Sequence, residues 1–171
     1  MNEHRTPART AGYQEDFYAW TQHQAKLLRS LERLGAKLPA EIDLPHLAEE
    51  VEDLGKAELR GATSLIRNIM VHLIKAASDP DAEAVGHWRE ETATFHADLP
   101  GYYAPSMSRL IDMQKLWSRA RYLAEIALER RGRSLSPQVQ LECPYSLQDV
   151  VGERFRCDDA LAKIRESPLG G

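Results

Sequence analysis

Residues 43–75 read DLPHLAEEVEDLGKAELRGATSLIRNIMVHLIK, and this stretch decides the fold that the sequence predicts. Its apolar residues recur at helical spacing, which is typical of a helix that buries one face. On a helical wheel one face collects Leu47, Val51, Leu54, Ala62, Leu65, Ile69 and Ala76. Opposite or to the side lie Glu49, Glu52, Asp53, Arg67 and Ile74. We therefore expect one long helix that turns the first set toward a core.

Local signals mark the ends of this helix. Asp43 has a carboxylate that accepts from free amides of a first turn, and Pro45 stands where a missing amide is tolerated. Pro80 disfavours helix in the residue before it. Gly55 and Gly61 each weaken a helix interior by about 1 kcal/mol relative to alanine. They indicate either the close approach of another helix or a kink, and the sequence leaves both open.

Three polar residues fall on or beside the predicted buried face, and they form a candidate buried polar site: Glu50, Glu58 and His72. Helical bundles build metal sites from inward-facing Glu and His, which is the functional interpretation. The structural interpretation, which we favour, is that the carboxylates reach solvent and a neighbour satisfies the histidine. Glu58 and His72 lie about 21 Å apart along a straight helix, which argues against one shared metal ion.

Composition indicates a globular protein without a general attraction to nucleic acid. The chain has 171 residues, 43% hydrophobic and 28% charged, with a formal net charge of −4. Cys143 and Cys157 do not make a disulfide framework, so a reducing compartment is expected. The opening MNEHRTPARTAG lacks the apolar core of a secretory signal, and no apolar run is long enough to cross a bilayer. We expect a cytoplasmic location and no membrane partner.

Three further long helices are predicted around residues 43–75. The first runs from Tyr13 to Leu34, and its apolar face comprises Tyr13, Phe17, Trp20, Leu27, Leu31 and Leu34. The third begins after Asp79–Pro80, and its face comprises Ala84, Val85, Trp88, Thr92, Phe95 and Leu99. Ser106 is the predicted cap of the fourth helix, whose face comprises Leu110, Met113, Trp117, Ala120, Ala124 and Ala127.

These elements predict an all-α protein: an antiparallel four-helix up-and-down bundle with a small helical C-terminal attachment. Residues 1–12 are expected to be a flexible tail, 13–133 the bundle, and 134–171 a C-terminal loop with short helices. Ser146 and Asp149 have the spacing of a capping box, so a short helix is expected after Ser146. A last helix is expected from Asp158, and Gly35 and Gly132 are predicted at helix ends.

Ordered sequence blocks resemble a bacterial family of helical proteins catalogued as a domain of unknown function, number twenty-nine. The opening Y-x-x-D-[FY]-x-x-W carries Asp16 and Trp20, and L-A-E-E-[IV]-E-x-[LM]-G carries Glu49 and Glu52. The later blocks H-L-x-K, a single tryptophan, W-x-x-A-R and C-P-[YW]-[ST]-L carry His72, Trp88, Trp117 and Cys143. The resemblance implies a helical fold and brings no assigned catalytic residue or cofactor.

The chain lacks the common catalytic sequence motifs. It contains no glycine-rich phosphate loop, no H-E-x-x-H and no paired C-x-x-C. No local feature lowers the pKa of Cys143, so we expect it to pack rather than react. The pairs Asp43/His46 and Glu83/His87 have helical metal-ligand spacing, but one pair is a weak signal. The sequence identifies no cofactor.

Charge is segregated along the chain. An acidic segment holds Glu41, Asp43, Glu49, Glu50, Glu52 and Asp53, and the predicted fourth helix is basic, with Arg109, Lys115, Arg119, Arg121, Arg130, Arg131 and Arg133. Attraction within one bundle or simple solvation accounts for this pattern. The sharper hypothesis is a partner surface, or a dimer in which the acidic segment meets the basic helix.

The sequence favours a non-enzymatic module that binds another protein or itself. The observations behind this hypothesis are the missing catalytic motifs, the charge segregation and the small residues of the fourth helix. The alternative is a metal-binding or acid–base enzyme that uses Glu58, His72 and Glu50, together with His23 or Gln24 of the first helix. Nucleic-acid binding through the basic helix is a third and weaker option.

Overall fold

The structure is a computed structural model that describes residues 12–35, 38–39 and 41–166. These residues contain six α-helices and no strand, so the all-α prediction is confirmed. The helices are α1 (Phe17–Arg33), α2 (Leu44–Ser78), α3 (Val85–Asp98), α4 (Met113–Glu129), α5 (Leu147–Val151) and α6 (Cys157–Glu166). Two 3₁₀ segments, Leu99–Gly101 and Pro105–Arg109, lie between α3 and α4. Most of the predicted tail, residues 1–11, lies outside the described residues.

The chain divides into two compact units. The first unit comprises residues up to 59 together with 104–107, and the second unit comprises residues 60–103 and 108–171. Helix α2 contributes its N-terminal part to the first unit and the rest to the second. The antiparallel up-and-down arrangement of four helices stays a prediction. None of the described helices is long and apolar enough to span a membrane.

In the first unit, Asp16 closes the start of α1. Its Oδ1 accepts a hydrogen bond from the Ala19 amide at 2.8 Å, the contact expected of an N-cap residue. Its Oδ1 also accepts from the Ser106 hydroxyl at 2.7 Å, and its Oδ2 accepts from the Ser106 amide at 3.0 Å. The side chain is buried, so one carboxylate both caps α1 and holds the distant 3₁₀ segment.

A glycine brings α2 close to α1 in the same unit. A Cβ atom on Gly55 would lie 2.1 Å from the Thr21 Oγ1 atom. Thr21, Ala25 and Ala48 are fully buried, so the two helices bury their small residues. Gly61, in the second unit, likewise leaves room for the Tyr102 ring, which would lie 2.3 Å from an added Cβ. Close approach is therefore the role of both glycines.

The predicted buried faces of the first unit are wrong. Leu27 and Leu31 on α1 and its C-cap residue Leu34 are exposed by 45%, 40% and 81%. On α2, Leu47 and Leu54 are exposed by 46% and 52%, and Val51 is half-buried. The physical reason is the close approach at Gly55. The buried face of the two helices consists of small residues, Thr21, Ala25, Ala48 and Gly55, and the exposed leucines lie on other faces.

The second unit contains most of the buried apolar side chains. The large ones on α2 are Ile66, Ile69, Met70, Leu73 and Ile74, all with no exposed surface. Burial of Ile69 was predicted, whereas Ile74 was placed to the side of the buried face, so that placement was wrong. Trp88 and Thr92 of α3 are buried as predicted, and α4 buries Trp117, Ala120, Ala124 and Leu128.

Three helices begin later than the sequence predicted, and the first of them is α1, which begins at Phe17 rather than Tyr13 because Asp16 caps it. The capping box at Ser146 and Asp149 is present, and Gly35 and Gly132 adopt positive φ angles of 62° and 68°. Helix α4 begins at Met113 rather than after Ser106, because Asp112 accepts from the Lys115 amide while Ser106 is bound to Asp16. Helix α3 begins at Val85, later than the Asp79–Pro80 signal predicted.

Candidate functional site

His72, one of the three polar residues that the sequence placed on or beside the buried face, lies in the second unit beside residues of α3. Its side chain is only 13% exposed, and its Nδ1 atom is 3.2 Å from Glu91 Oε2. His87 Nε2 lies 3.3 Å from the same oxygen. The Nδ1 atom is buried without a well-aligned hydrogen bond, and the ring packs 5.5 Å from that of Phe95. Burial lowers the pKa of His72 to about 4, and the charge of nearby Lys75 acts in the same direction.

Lys75, one turn after His72, lies against the buried Trp88. Its Nζ atom is 4.6 Å from the centroid of the indole ring, and the Arg131 guanidinium carbon is 5.2 Å away. Two cations thus contact one aromatic ring, an arrangement that the ring quadrupole favours. Burial lowers the pKa of Lys75, with Glu91 opposing that effect and Arg131 adding to it. The H-L-x-K block and the single tryptophan of the family resemblance therefore converge on one cluster.

The structure does not assemble the buried polar site that the sequence proposed. Glu50 is exposed, so its predicted position at a buried face is wrong, because that face of α2 points outward. Glu58 is half-buried and belongs to the first unit, whereas His72 belongs to the second. His23 and Gln24 are half-buried on α1, also in the first unit. Within the described ranges, no group of three His, Cys, Asp or Glu side chains has the geometry to hold a metal ion.

Cys143 is held as a structural residue. Its amide donates to Gln114 Oε1 at 2.9 Å, and its thiol donates to the Tyr145 carbonyl at 3.5 Å. Burial raises the pKa of the Cys143 thiol, so the protonated form predominates at neutral pH. A neutral thiol is a poor nucleophile, which agrees with the expectation that this cysteine packs rather than reacts.

Trp117 connects α4 to the C-terminal segment. It is fully buried, its Nε1 donates to the Gln140 carbonyl at 3.0 Å, and its ring meets Tyr145 edge-on at 5.7 Å. The Tyr145 hydroxyl in turn donates to the Ala160 carbonyl at 2.8 Å, and burial raises the pKa of Tyr145 well above its ordinary value. These contacts give the W-x-x-A-R and C-P-[YW]-[ST]-L blocks an architectural role.

The remaining family-motif residues lie in the first unit. Glu52 forms ion pairs with Arg29 of α1 and with Lys56, which is 3.0 Å away. Hydrogen bonds from Lys56 and Arg29 hold the pKa of Glu52 below its ordinary value. Trp20 is half-buried and meets the Tyr13 ring edge-on at 4.8 Å, whereas Glu49 is exposed.

The first unit has two exposed leucine faces that the sequence assigned to the core. The α1 leucine face comprises Leu27, Leu31 and Leu34, and the α2 leucine face comprises Leu47 and Leu54. Basic residues flank the α1 leucine face, and a groove of about 570 Å³ is lined by Lys26, Arg29, Glu32 and Arg33. The exposed acidic residues Glu50 and Asp53 flank the α2 leucine face. Helical periodicity located these residues, but only the tertiary structure placed them outside.

Comparisons with known proteins agree with the helical fold. The sequence profile of a family described as domain of unknown function DUF29 matches residues 13–156. Among solved structures, a crystal structure of an α-helical protein of unknown function from Rhodospirillum rubrum is similar, with 37% identity and a TM-score of 0.85. The match covers 89% of this chain and 96% of that one. No protein of curated function matches the chain.

Proposed function

This chain belongs to the family described as domain of unknown function DUF29, a membership that brings no assigned activity, and we propose that the chain is a non-enzymatic self-association module. The observation that carries the proposal is the outward direction of the α1 and α2 leucine faces. Leu27, Leu31 and Leu34 have the i, i+4, i+7 spacing of a helix face that packs against protein. Exposed apolar faces rimmed by charge are typical of interaction sites.

A second copy of the chain is the partner that fits these faces best. The α1 leucine face is flanked by Lys26 and Arg33, and the α2 leucine face by Glu50 and Asp53. In a two-fold dimer, each contact between residue i and residue j occurs twice. The α1 leucine face of one copy against the α2 leucine face of the other therefore buries leucine on leucine and joins opposite charges on both sides.

The acidic segment has a better complement in α1 than in α4. The sequence suggested the basic fourth helix as the partner. Arg131 and Arg133, which follow α4, are engaged with Trp88 and Asp79, whereas Lys115 and Arg119 of α4 form no ion pair among the described residues. Helix α1 supplies exposed leucines as well as basic charge, which supports its selection as the partner surface. The proposal includes a cytoplasmic location, which the two free cysteines support.

The experiment that tests self-association is sedimentation equilibrium on the full chain. We expect a mass near twice 19.3 kDa for the unaltered protein. The double variant Leu31→Glu with Leu54→Glu places a charge in each leucine face and is expected to sediment as a monomer with unchanged helical circular dichroism. The matched control is Leu110→Glu with Leu141→Glu, since these leucines of the second unit are 51% and 71% exposed.

Two results would overturn the proposal. One is a monomer for the unaltered protein at a concentration of about 100 µM, well above the dissociation constants of most specific complexes. The other is an equal loss of association in the control variant, which would show that the leucine faces of α1 and α2 are not the interface.

The enzyme alternative receives less support from the geometry. Its proposed residues Glu58 and His72 belong to different compact units, and His72 is held neutral by burial rather than poised near pH 7. Activity or stoichiometric metal in protein purified without metal-affinity resin, lost in His72→Ala, would favour this alternative.

A further inference from the structure

A second groove, independent of the leucine faces, lies between α2 and α4 in the second unit. It has a volume of about 580 Å³ and is lined by Arg67, Lys115, Leu116, Ser118, Arg119 and Tyr122. Half of these side chains are cationic and none carries a carboxylate. The groove therefore concentrates positive charge on a protein whose net charge is negative.

The three cations of this groove lack acidic partners among the residues that the structure describes. Elsewhere, Arg29, Arg89 and Arg133 each form an ion pair with a carboxylate. No such pair involves Arg67, Lys115 or Arg119 within the same part of the chain. Uncompensated cations that face one concave surface attract an anion, because no internal carboxylate competes for them.

Arg67 is oriented by its neighbours and retains an unused donor. Its Nη2 atom donates to Ser64 Oγ at 2.9 Å and to Asn68 Oδ1 at 3.3 Å. These bonds fix the plane of the guanidinium. Its Nε atom is buried and has no hydrogen-bond partner among the described residues. Because Nε is buried, a ligand in the groove would meet the accessible part of this half-buried side chain rather than Nε itself.

We infer that the groove binds a phosphate monoester attached to a planar ring. A phosphate monoester carries nearly two negative charges at neutral pH, which suits three cations better than the single charge of a carboxylate. Guanidinium groups bind phosphate oxygens through paired hydrogen bonds. Leu116 and the exposed Tyr122 ring offer an apolar wall for the ring of the ligand. The Arg119 guanidinium lies 5.7 Å from the Tyr122 ring centroid, which brings the charged and aromatic parts together.

Nucleic acid is a poorer match for the same charges. A groove of about 580 Å³ suits one small molecule. Exposed Glu125 and Glu129 interrupt the basic surface further along α4. A phosphate backbone needs a continuous basic track, and this helix does not supply one.

The test is an NMR titration of the full chain with phenyl phosphate, monitored at the arginine Nε–Hε signals. We expect the Arg67 signal to shift with a saturable curve, because a phosphate bound beside the half-buried guanidinium would change the surroundings of its Nε–H group. Lys115→Gln and Arg119→Gln are each expected to weaken binding roughly tenfold, the usual effect of removing one charged hydrogen-bond donor. The matched control is Arg154→Gln, which removes the same charge from an exposed position outside the groove and should leave binding unchanged.

Three outcomes would overturn the inference. They are the absence of a saturable shift at Arg67, equal weakening by Arg154→Gln and Arg119→Gln, and tighter binding of a DNA duplex through the same residues. None of these outcomes bears on self-association, because the leucine faces and this groove share no residue.

Discussion

Single side chains in this protein set distant contacts that no local pattern reveals. Asp16 lies inside the first helix that the sequence predicts, yet it caps the start of α1, and its carboxylate also accepts two hydrogen bonds from Ser106. The helical pattern placed His72 on or beside a buried face without naming its neighbours, and burial lowers its pKa to about 4. In both cases the chemistry of the residue depends on atoms supplied by another part of the chain.

Replacement of Asp16 by alanine should destabilise the protein by about 2–4 kcal/mol, since it removes a helix cap and two hydrogen bonds to a buried charge. Chemical denaturation monitored by circular dichroism measures the loss. Asp112→Ala is the matched control. Asp112 caps α4 through the Lys115 amide and is exposed, so its loss should be about 1 kcal/mol. Equal losses in the two variants would contradict the anchoring role of Asp16.

The imidazole of His72 should titrate near pH 4 in the folded protein, because burial disfavours its charged form. Since its folded pKa lies below the ordinary value of 6.5, its contribution to stability is present above pH 6.5 and is lost as pH falls toward 4. NMR titration of the ring protons measures the pKa directly. The internal control is His46, whose hydrogen bond with Asp43 raises its pKa. A His72 midpoint at or above that of His46 would contradict this account.

Helices in this chain form near the predicted segments, although α1, α3 and α4 begin later than predicted, and the faces they bury depend on their neighbours. The apolar stripe of α2 is continuous on a helical wheel, yet its N-terminal part, with Leu47 and Leu54, is exposed. Gly55 and Thr21 meet instead, and an α-carbon without a side chain permits that approach. Helix α2 therefore buries small residues against α1, and Leu47 and Leu54 lie on a face that is exposed.

The substitution Gly55→Ala has two opposite effects on stability, one from helix propensity and one from packing against α1. Alanine should favour the isolated helix by about 1 kcal/mol, but its Cβ would lie 2.1 Å from Thr21 Oγ1, so we expect net destabilisation. The matched control is Gly86→Ala in α3, where an added Cβ meets nothing within 4 Å and stability should rise. Thermal unfolding compares the two variants. Stabilisation by both would show that α1 and α2 do not approach each other at Gly55.

At the scale of the whole molecule, the distribution of charge and exposed leucine indicates how copies of the chain would meet. The α1 leucine face carries basic flanks and the α2 leucine face carries acidic flanks. A protein with both faces on one unit is complementary to itself. Association between copies should therefore depend on charge as well as on leucine.

A charge exchange tests this dependence. Lys26→Glu with Arg33→Glu should weaken the dimer at least tenfold, because like charges would face each other across the interface. Glu50→Lys with Asp53→Lys should have the same effect. Combining all four substitutions should restore association, since the opposite charges meet again in exchanged positions. Sedimentation equilibrium measures each dissociation constant, and a combined variant as weak as its parents would contradict this pairing.

The sequence by itself determined that this protein is helical and where most of its helices end. Helical periodicity, the capping box at Ser146 and Asp149, and the glycines Gly35 and Gly132 act within a few residues, so local physics suffices to predict them. Only the tertiary structure decided which face of α1 and α2 is outside, that His72 meets Glu91, and that Arg67 lines a basic groove with α4. The physical reason is that each of these features depends on contacts between residues far apart in sequence. Helical periodicity shows which residues share a face of one helix, but it does not show which other segment packs against that face.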